Sequence, residues 1–390
     1  MDRFHTRVAE FKDLLSAEII DRVKLHKLCF EGCPDTDGIR ATCWKLLLGY
    51  LPWDTRQWDA ELAKKRATYQ QLMTEVIINP HDTEGASGGD IIDHPLSLDS
   101  DSGWGRFFED NTTLLQIDHD TRRLYPDISF FQMPTQYPQT SSGASKDSLR
   151  KRVERSSLPS QKVGTARNGI KNFSISSKPE RQPYVTLKDG EEAHWEVAER
   201  ILFVHAKTYP GIDYVQGMNE ILGPIYYVFS SHPDPAWQKY AEADTFFCFA
   251  SLMTEIGDSF TRSLDHCKAG ISGQLQKIMV LLKSKDPVLH KHLTVTIKMD
   301  PMYFAFRWIT LLLSQEFLLP EVIRLWDSFF ADERRFTFLL HVCCAMMIIL
   351  RDQLLEGDFS TCMKLLQHFP SYDIQKLIQK GQDIRRFHPL

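Results

Sequence analysis

Apolar residues return every three or four positions along most of the chain, and Gly or Pro marks the breaks between such stretches. This spacing predicts helices over Val8–Leu28, Ile39–Leu48, Ala60–Ile78, Trp195–Lys207, Asp244–Ile256, Gln274–Leu282, Met302–Gln315, Pro320–Phe329, Arg335–Arg351 and Phe359–Phe369. Leu114, Leu115, Ile117 and Leu124 outline one more, ended by Pro126. Alternating β-branched runs joined by two-residue Gly turns are nearly absent, so the pattern predicts an all-α fold. No fixed-period repeat is found.

Two stretches break the periodicity. His81–Gly103 carries six acidic residues and no Lys or Arg, which reads as an acidic surface loop. Ser141–Glu180 holds ten serines and nine Lys or Arg against three acids. So polar a segment cannot bury enough apolar surface to offset the entropy of ordering it, and it reads as a disordered insertion. A linker, a phosphorylated regulatory segment and a docking surface for acidic membranes all fit that composition.

Composition narrows the function more than the fold. With 390 residues and 43% apolar content the chain can bury a large core, and its net charge of −5 argues against a nucleic-acid partner. The eight cysteines show no C-x-x-C, so reduced thiols in the cytosol are expected. No apolar leader opens the chain. The longest apolar run, Val342–Leu350, is nine residues, where a membrane span needs about 20. Neither a phosphate loop nor H-E-x-x-H occurs, so neither a nucleotide cradle of its own nor a metal site is expected. His341 and Cys343 stand at i,i+2 and face apart on a helix, and Cys343 and Cys344 in this apolar stretch read as small buried hydrophobes rather than nucleophiles.

Two short stretches remain. In I-D-H-D-T-R-R-L-Y-P (117–126), Asp120 and Arg123 stand at i,i+3, close enough to pair. They can be a salt-bridged surface or an arginine aimed by its aspartate at a phosphate, which the forked guanidinium suits. Arg122, next door, is not excluded by spacing. In Y-V-Q-G-M-N-E (214–220), Gln216 cannot act as acid, base or nucleophile, yet it stands where two helical patterns meet.

Together, I-x-x-D-x-x-R (Ile117, Asp120, Arg123) and Y-x-Q (Tyr214, Gln216) resemble the two fingers of TBC-domain proteins, the activators of Rab-type small GTPases. G-I-R-A-T-C-W-K-L-L-L-G-Y-L-P (38–52), with Arg40 and Trp44, is similar to the helix that opens that domain. D-H-P-L (93–96) and the wording around Tyr209–Asn219 also fit. F-R-W-I-T-L-L-L-S-Q-E-F-L-L-P-E-V-I-R-L-W-D (306–327), with Arg307, Trp308, Trp326 and Asp327, is similar to the second-lobe signature. D-I-S-F-F, S-Q-E-F-L-L-P and L-L-E-G-D-F look closest to one branch of the family.

The resemblance implies a two-lobed helical domain over residues 32–355. Its N-terminal lobe would span about 32–230 with the insertion at about 135–182, and its C-terminal lobe about 240–355. A helical extension (1–31) would precede it, and C-terminal helices (356–390) would pack on the second lobe. Arg123 would be an arginine finger and Gln216 a glutamine finger, supported by Asp120, Ile117, Tyr214 and Gly217. The signature residues Arg40, Trp44, Arg307, Trp308, Trp326 and Asp327 would be structural. The chain would then be a GTPase activator in vesicle trafficking rather than a stand-alone enzyme; the alternative is a non-catalytic Rab-binding adaptor or scaffold. It would need no cofactor of its own, since Mg²⁺ and GTP belong to the partner, a GTP-bound Rab. Membrane contact would be indirect, through the Rab or the basic insertion, and the protein a cytosolic monomer recruited to Rab-bearing vesicles.

Overall fold

A computed structural model describes residues 3–77, 103–139, 149–150, 152–153, 187–188, 190–211, 213–257 and 270–387. The expected acidic loop, D-H-P-L and most of the serine-rich insertion lie outside these residues. Among the described residues the α-helices are α1 (Arg3–Leu15), α2 (Arg22–Phe30), α3 (Ile39–Leu47), α4 (Trp58–Val76), α5 (Gly103–Thr121), α6 (His194–Thr208), α7 (Met218–Ser230) and α8 (Pro235–Gln238). They continue with α9 (Ala241–Ile256), α10 (Ile271–Lys285), α11 (Pro287–Lys291), α12 (Ala305–Thr310), α13 (Leu319–Phe330), α14 (Thr337–Ile349), α15 (Arg351–Glu356), α16 (Phe359–Gln367) and α17 (Ile374–Phe387). Only isolated β-bridges, Ile19 with Asp54 and Pro134 with Ala193, interrupt this all-α fold among the described residues. None of these helices is long and apolar enough to cross a membrane.

Three expected helices are broken, each for a local reason. The one expected over Val8–Leu28 becomes α1 and α2, because Ile20 donates its N–H to the Trp53 carbonyl and Asp21 caps α2 by accepting from the Lys24 N–H. The one expected over Met302–Gln315 stops at Thr310. Leu312 and Leu313 sit at φ of +50° and +62°, and the Leu312 carbonyl accepts from the Trp326 indole, buried beneath it. The one expected over Arg335–Arg351 starts after Phe336 at φ +60° and bends at Leu350.

The chain forms two compact units, residues 1–68 with 220–390 and residues 69–219. In the first, buried carboxylates organise the core. Asp327 on α13 accepts from the Cys33 N–H (2.8 Å), the Trp44 indole (2.8 Å) and Arg40 Nε (3.3 Å). Asp244 on α9 accepts from Lys45 Nζ and Tyr50 Oη, each at 2.6 Å, and from Arg66 at 3.0 Å. Buried carboxyl groups like these are tolerated in a core because every oxygen has a donor. Trp44, Trp326 and Phe330 pack edge to face and tilted around the first carboxylate, with ring centroids 5.0–6.1 Å apart. Trp308 is fully buried, while Arg307 bridges Glu316 Oε1 (2.7 Å) and the Gln367 carbonyl (2.6 Å). Gly38 opens α3 at φ +69°, and a Cβ there would fall 1.9 Å from His232 Nε2. Helix α17 packs along α14, with Gly381 allowing close approach to Val342 and Phe338.

The second unit is built on α5 packed against α6. A short piece within the span expected to be disordered is seated here. Leu149 and Val153 are buried, and Arg152 donates to Asn111 Oδ1 and to the Phe107 carbonyl while stacking over the Phe107 ring at 3.9 Å. Leu149 and Val153 stand four residues apart, about one helical turn, so both can face the unit's interior.

Candidate functional site

The last turn of α5 carries the D-x-x-R residues, and the helix tightens as it ends. Arg123 and Leu124 donate their backbone N–H groups three residues back, to Asp120 and Thr121. Tyr125 then turns the chain out of the helix at φ +45°, a left-handed conformation uncommon outside glycine, and stacks on Phe131. Gln132 Nε2 takes up the exposed Arg122 carbonyl at 3.1 Å.

This ending separates the two arginines. Arg122 folds back one turn, its Nε donating to both oxygens of Asp118 at 2.9 Å, with its guanidinium over the Trp195 ring at 4.5 Å. Its side chain is 20% exposed and committed to the unit's own packing. Arg123 points outward and is 56% exposed. Its Nε donates to the His119 carbonyl (3.1 Å), and its Nη2 to His119 Nδ1 (2.7 Å) and Asp120 Oδ1 (3.4 Å). These contacts orient the guanidinium from one side and leave its fork open on the other.

Asp120 also connects the second motif. Its other oxygen, Oδ2, accepts from Tyr214 Oη at 2.8 Å, and its backbone carbonyl accepts from Asn219 Nδ2 at 3.3 Å. Residues at the two ends of Y-V-Q-G-M-N are thus tied to the aspartate that steers Arg123. Between them the chain makes a tight turn, closed by the Met218 N–H donating to the Val215 carbonyl at 3.1 Å. Gly217 occupies its third position at φ +105°, which a side chain would strain. Turn geometry by itself calls for a glycine at this position. Gln216 stands at the exposed corner, and its amide makes no hydrogen bond among the described residues. Tyr214 is buried, its ring in the core and its hydroxyl on Asp120, while Ile117 and Met218 are fully buried beneath.

Behind Arg122 lies Glu199 on α6, fully buried beside Asp118. Burial and then the Asp118 charge push its carboxyl well above the usual range. His194 and His205 on the same helix are pulled down to about 4 by burial and stand neutral at pH 7. The site thus offers one outward cation and one outward neutral amide, held through one carboxylate. It can stabilise anionic oxygens and orient a polar molecule, and its third outward group, His119, is engaged through Nδ1 with Arg123. Sequence reasoning missed Asp118, His119, Trp195, Glu199 and Asn219. Only the i,i+4 spacing of Asp118 and Arg122 carried a readable signal.

Known proteins resemble this chain over most of its length. The Rab-GTPase-TBC domain model matches residues 184–355. The chain is 49% identical to TBC1 domain family member 13 of Homo sapiens, over 97% of this chain and 98% of that protein. It is 35% identical to TBC domain-containing protein C1952.17c of Schizosaccharomyces pombe, over 96% of this chain and 72% of that one. Among solved structures, the Ypt/Rab-GAP domain of Gyp1p superposes with a TM-score of 0.68 at 23% identity, over 99% of both chains.

Proposed function

The chain belongs to the Rab-GTPase-TBC domain family, and from that premise we propose that it accelerates GTP hydrolysis on a Rab-type small GTPase by supplying Arg123 and Gln216 in trans. In phosphoryl transfer the protein must neutralise charge building on the phosphoryl oxygens and place a water in line with the γ-phosphate. The partner brings the nucleotide and Mg²⁺, so an activator has no need of a phosphate loop. Arg123 suits the first task because its fork is open and its charge permanent. A finger of this kind contributes about 10³–10⁵ in rate. Gln216 suits the second: its carbonyl oxygen accepts from the water while its NH₂ group remains free to donate, and it adds no charge beside the nucleotide.

The observation that carries this reading is the sharing of Asp120. One oxygen steers Arg123, the other holds Tyr214, and the backbone carbonyl holds Asn219, so the two fingers share one mount. Preorganisation of this sort spares reorganisation when the transition state forms. The corresponding cellular role is termination of Rab signalling in vesicle traffic, with recruitment to membranes through the Rab.

The test is single-turnover phosphate release from a panel of GTP-loaded Rab proteins. At least one should be accelerated by the wild-type chain, and Arg123→Ala and Gln216→Ala should each remove most of the acceleration. Rab binding by all three proteins without acceleration by any would establish the adaptor instead.

A further inference from the structure

Outside the finger site, three thiols meet in the first unit. Cys29 on α2, Cys33 in the loop after it and Cys43 on α3 are buried, and their sulfur atoms all lie within 4.8 Å of one another. Nothing in phosphoryl transfer uses them. From this triangle we infer that the protein holds one soft monovalent cation, Cu(I), in a three-coordinate site made of Cys29, Cys33 and Cys43.

The ligand set decides the metal. Thiolates select soft ions. Zinc in a closed structural site takes four ligands. Asp327 is the nearby candidate for a fourth, but its oxygens are already taken by the Cys33 N–H, the Trp44 indole and Arg40. Three sulfurs with no fourth ligand therefore suit trigonal Cu(I). With metal–sulfur bonds of about 2.3 Å, a trigonal plane places sulfurs about 4.0 Å apart, so the triangle needs only a small contraction.

The scaffold is fixed before any ion arrives. Arg7 donates to the Leu28 and Gly32 carbonyls, Arg324 to the Glu31 carbonyl, and Arg40 Nη2 to the Cys33 carbonyl. Gly32, at φ +106°, makes the turn that presents Cys33. Binding displaces the thiol protons to solvent. The resulting anionic complex faces Arg40 and Arg324 as well as Asp327.

The experiment offers Cu(I), under anaerobic reducing conditions, to the full chain in competition with a chromophoric Cu(I) chelator. One equivalent should be withheld by the wild type, with thiolate-to-copper absorption in the ultraviolet and three sulfur neighbours in the X-ray absorption spectrum. Cys43→Ser and Cys33→Ser should each lower affinity about 100-fold or more, beyond what loss of a mere outer-shell partner costs. Cys344→Ala, on α14, should leave it unchanged. Zn(II) supplied alone should not be retained. Complete transfer of Cu(I) to the chelator by wild-type protein, equal retention by Cys43→Ser, or fewer than three sulfurs around the copper overturns the proposal. Should a serine variant fail to fold, the wild-type stoichiometry and sulfur count still decide it.

Discussion

Two buried aspartates, one in each unit, handle arginine in opposite ways. Asp327 has no exposed surface and three kinds of donor, and it pulls Arg40 in until that side chain is only 13% exposed. Asp120 is almost as buried, but it divides itself. One oxygen takes the Tyr214 hydroxyl at 2.8 Å, and the other reaches Arg123 at a loose 3.4 Å, leaving that guanidinium mostly in solvent. The first arrangement spends its arginine on the core. The second aims an arginine outward and keeps it available. A carboxylate beside an arginine therefore says little about function until the remaining partners of both groups are counted.

The largest stability effect should come from breaking the saturated hub. Asp327→Ala leaves Arg40, the Trp44 indole and the Cys33 N–H without their acceptor, and should cost about 3–5 kcal/mol in denaturant unfolding. Next in size is a matched pair that removes one donor from each aspartate. Trp44→Phe should cost roughly 1–3 kcal/mol while leaving GTPase activation per folded molecule unchanged. Tyr214→Phe should cost only about 1 kcal/mol, yet reduce activation roughly tenfold, since Asp120 then loses its second tether and Arg123 its aim. Equal activity losses in the two variants would erase the distinction between the hubs.

Acid should weaken the finger unit. His194 and His205 stay neutral when folded down to about pH 4, whereas the unfolded chain protonates them near 6.5. Between those values the unfolded state binds more protons, so stability falls as pH falls, by about 1 kcal/mol per histidine at pH 5.5. Thermal unfolding across pH 7 to 5, with His194→Gln and His205→Gln as controls, checks the slope. The smallest effect belongs to His119. Its replacement by alanine removes an exposed partner of Arg123 and should lower activation about threefold, with stability changed by less than about 0.5 kcal/mol.

Much of this was legible in the residues. Three- and four-residue apolar spacing is enough to mark helices, because each must bury one stripe. The order of the motifs carried the family resemblance, and member 13 belongs to the branch that D-I-S-F-F and S-Q-E-F-L-L-P indicated. Helix breaks were illegible where a distant group takes a backbone carbonyl, as the Trp326 indole does at Leu312. So was the choice between neighbouring arginines, since Asp118 with Arg122 and Asp120 with Arg123 both have pairing distance on a helix. The ring of Trp195 and the tightened end of α5 separate them, and neither is visible in local spacing. The thiol triangle was only half legible: Cys29 and Cys33 stand at C-x3-C, but Cys43 joins them only when α2 and α3 pack.

The central claim is that Arg123 is the arginine held free for the partner and Arg122 the one spent on packing. Phosphate release from a responsive GTP-loaded Rab should be measured beside thermal unfolding for Arg122→Ala, Arg123→Ala and Arg123→Lys. Loss of about 10³-fold or more in stimulated rate for both Arg123 variants at unchanged stability, with Arg122→Ala less stable by about 1–2 kcal/mol but still active, is the expected result. Full activity in Arg123→Ala together with loss in a folded Arg122→Ala would contradict it.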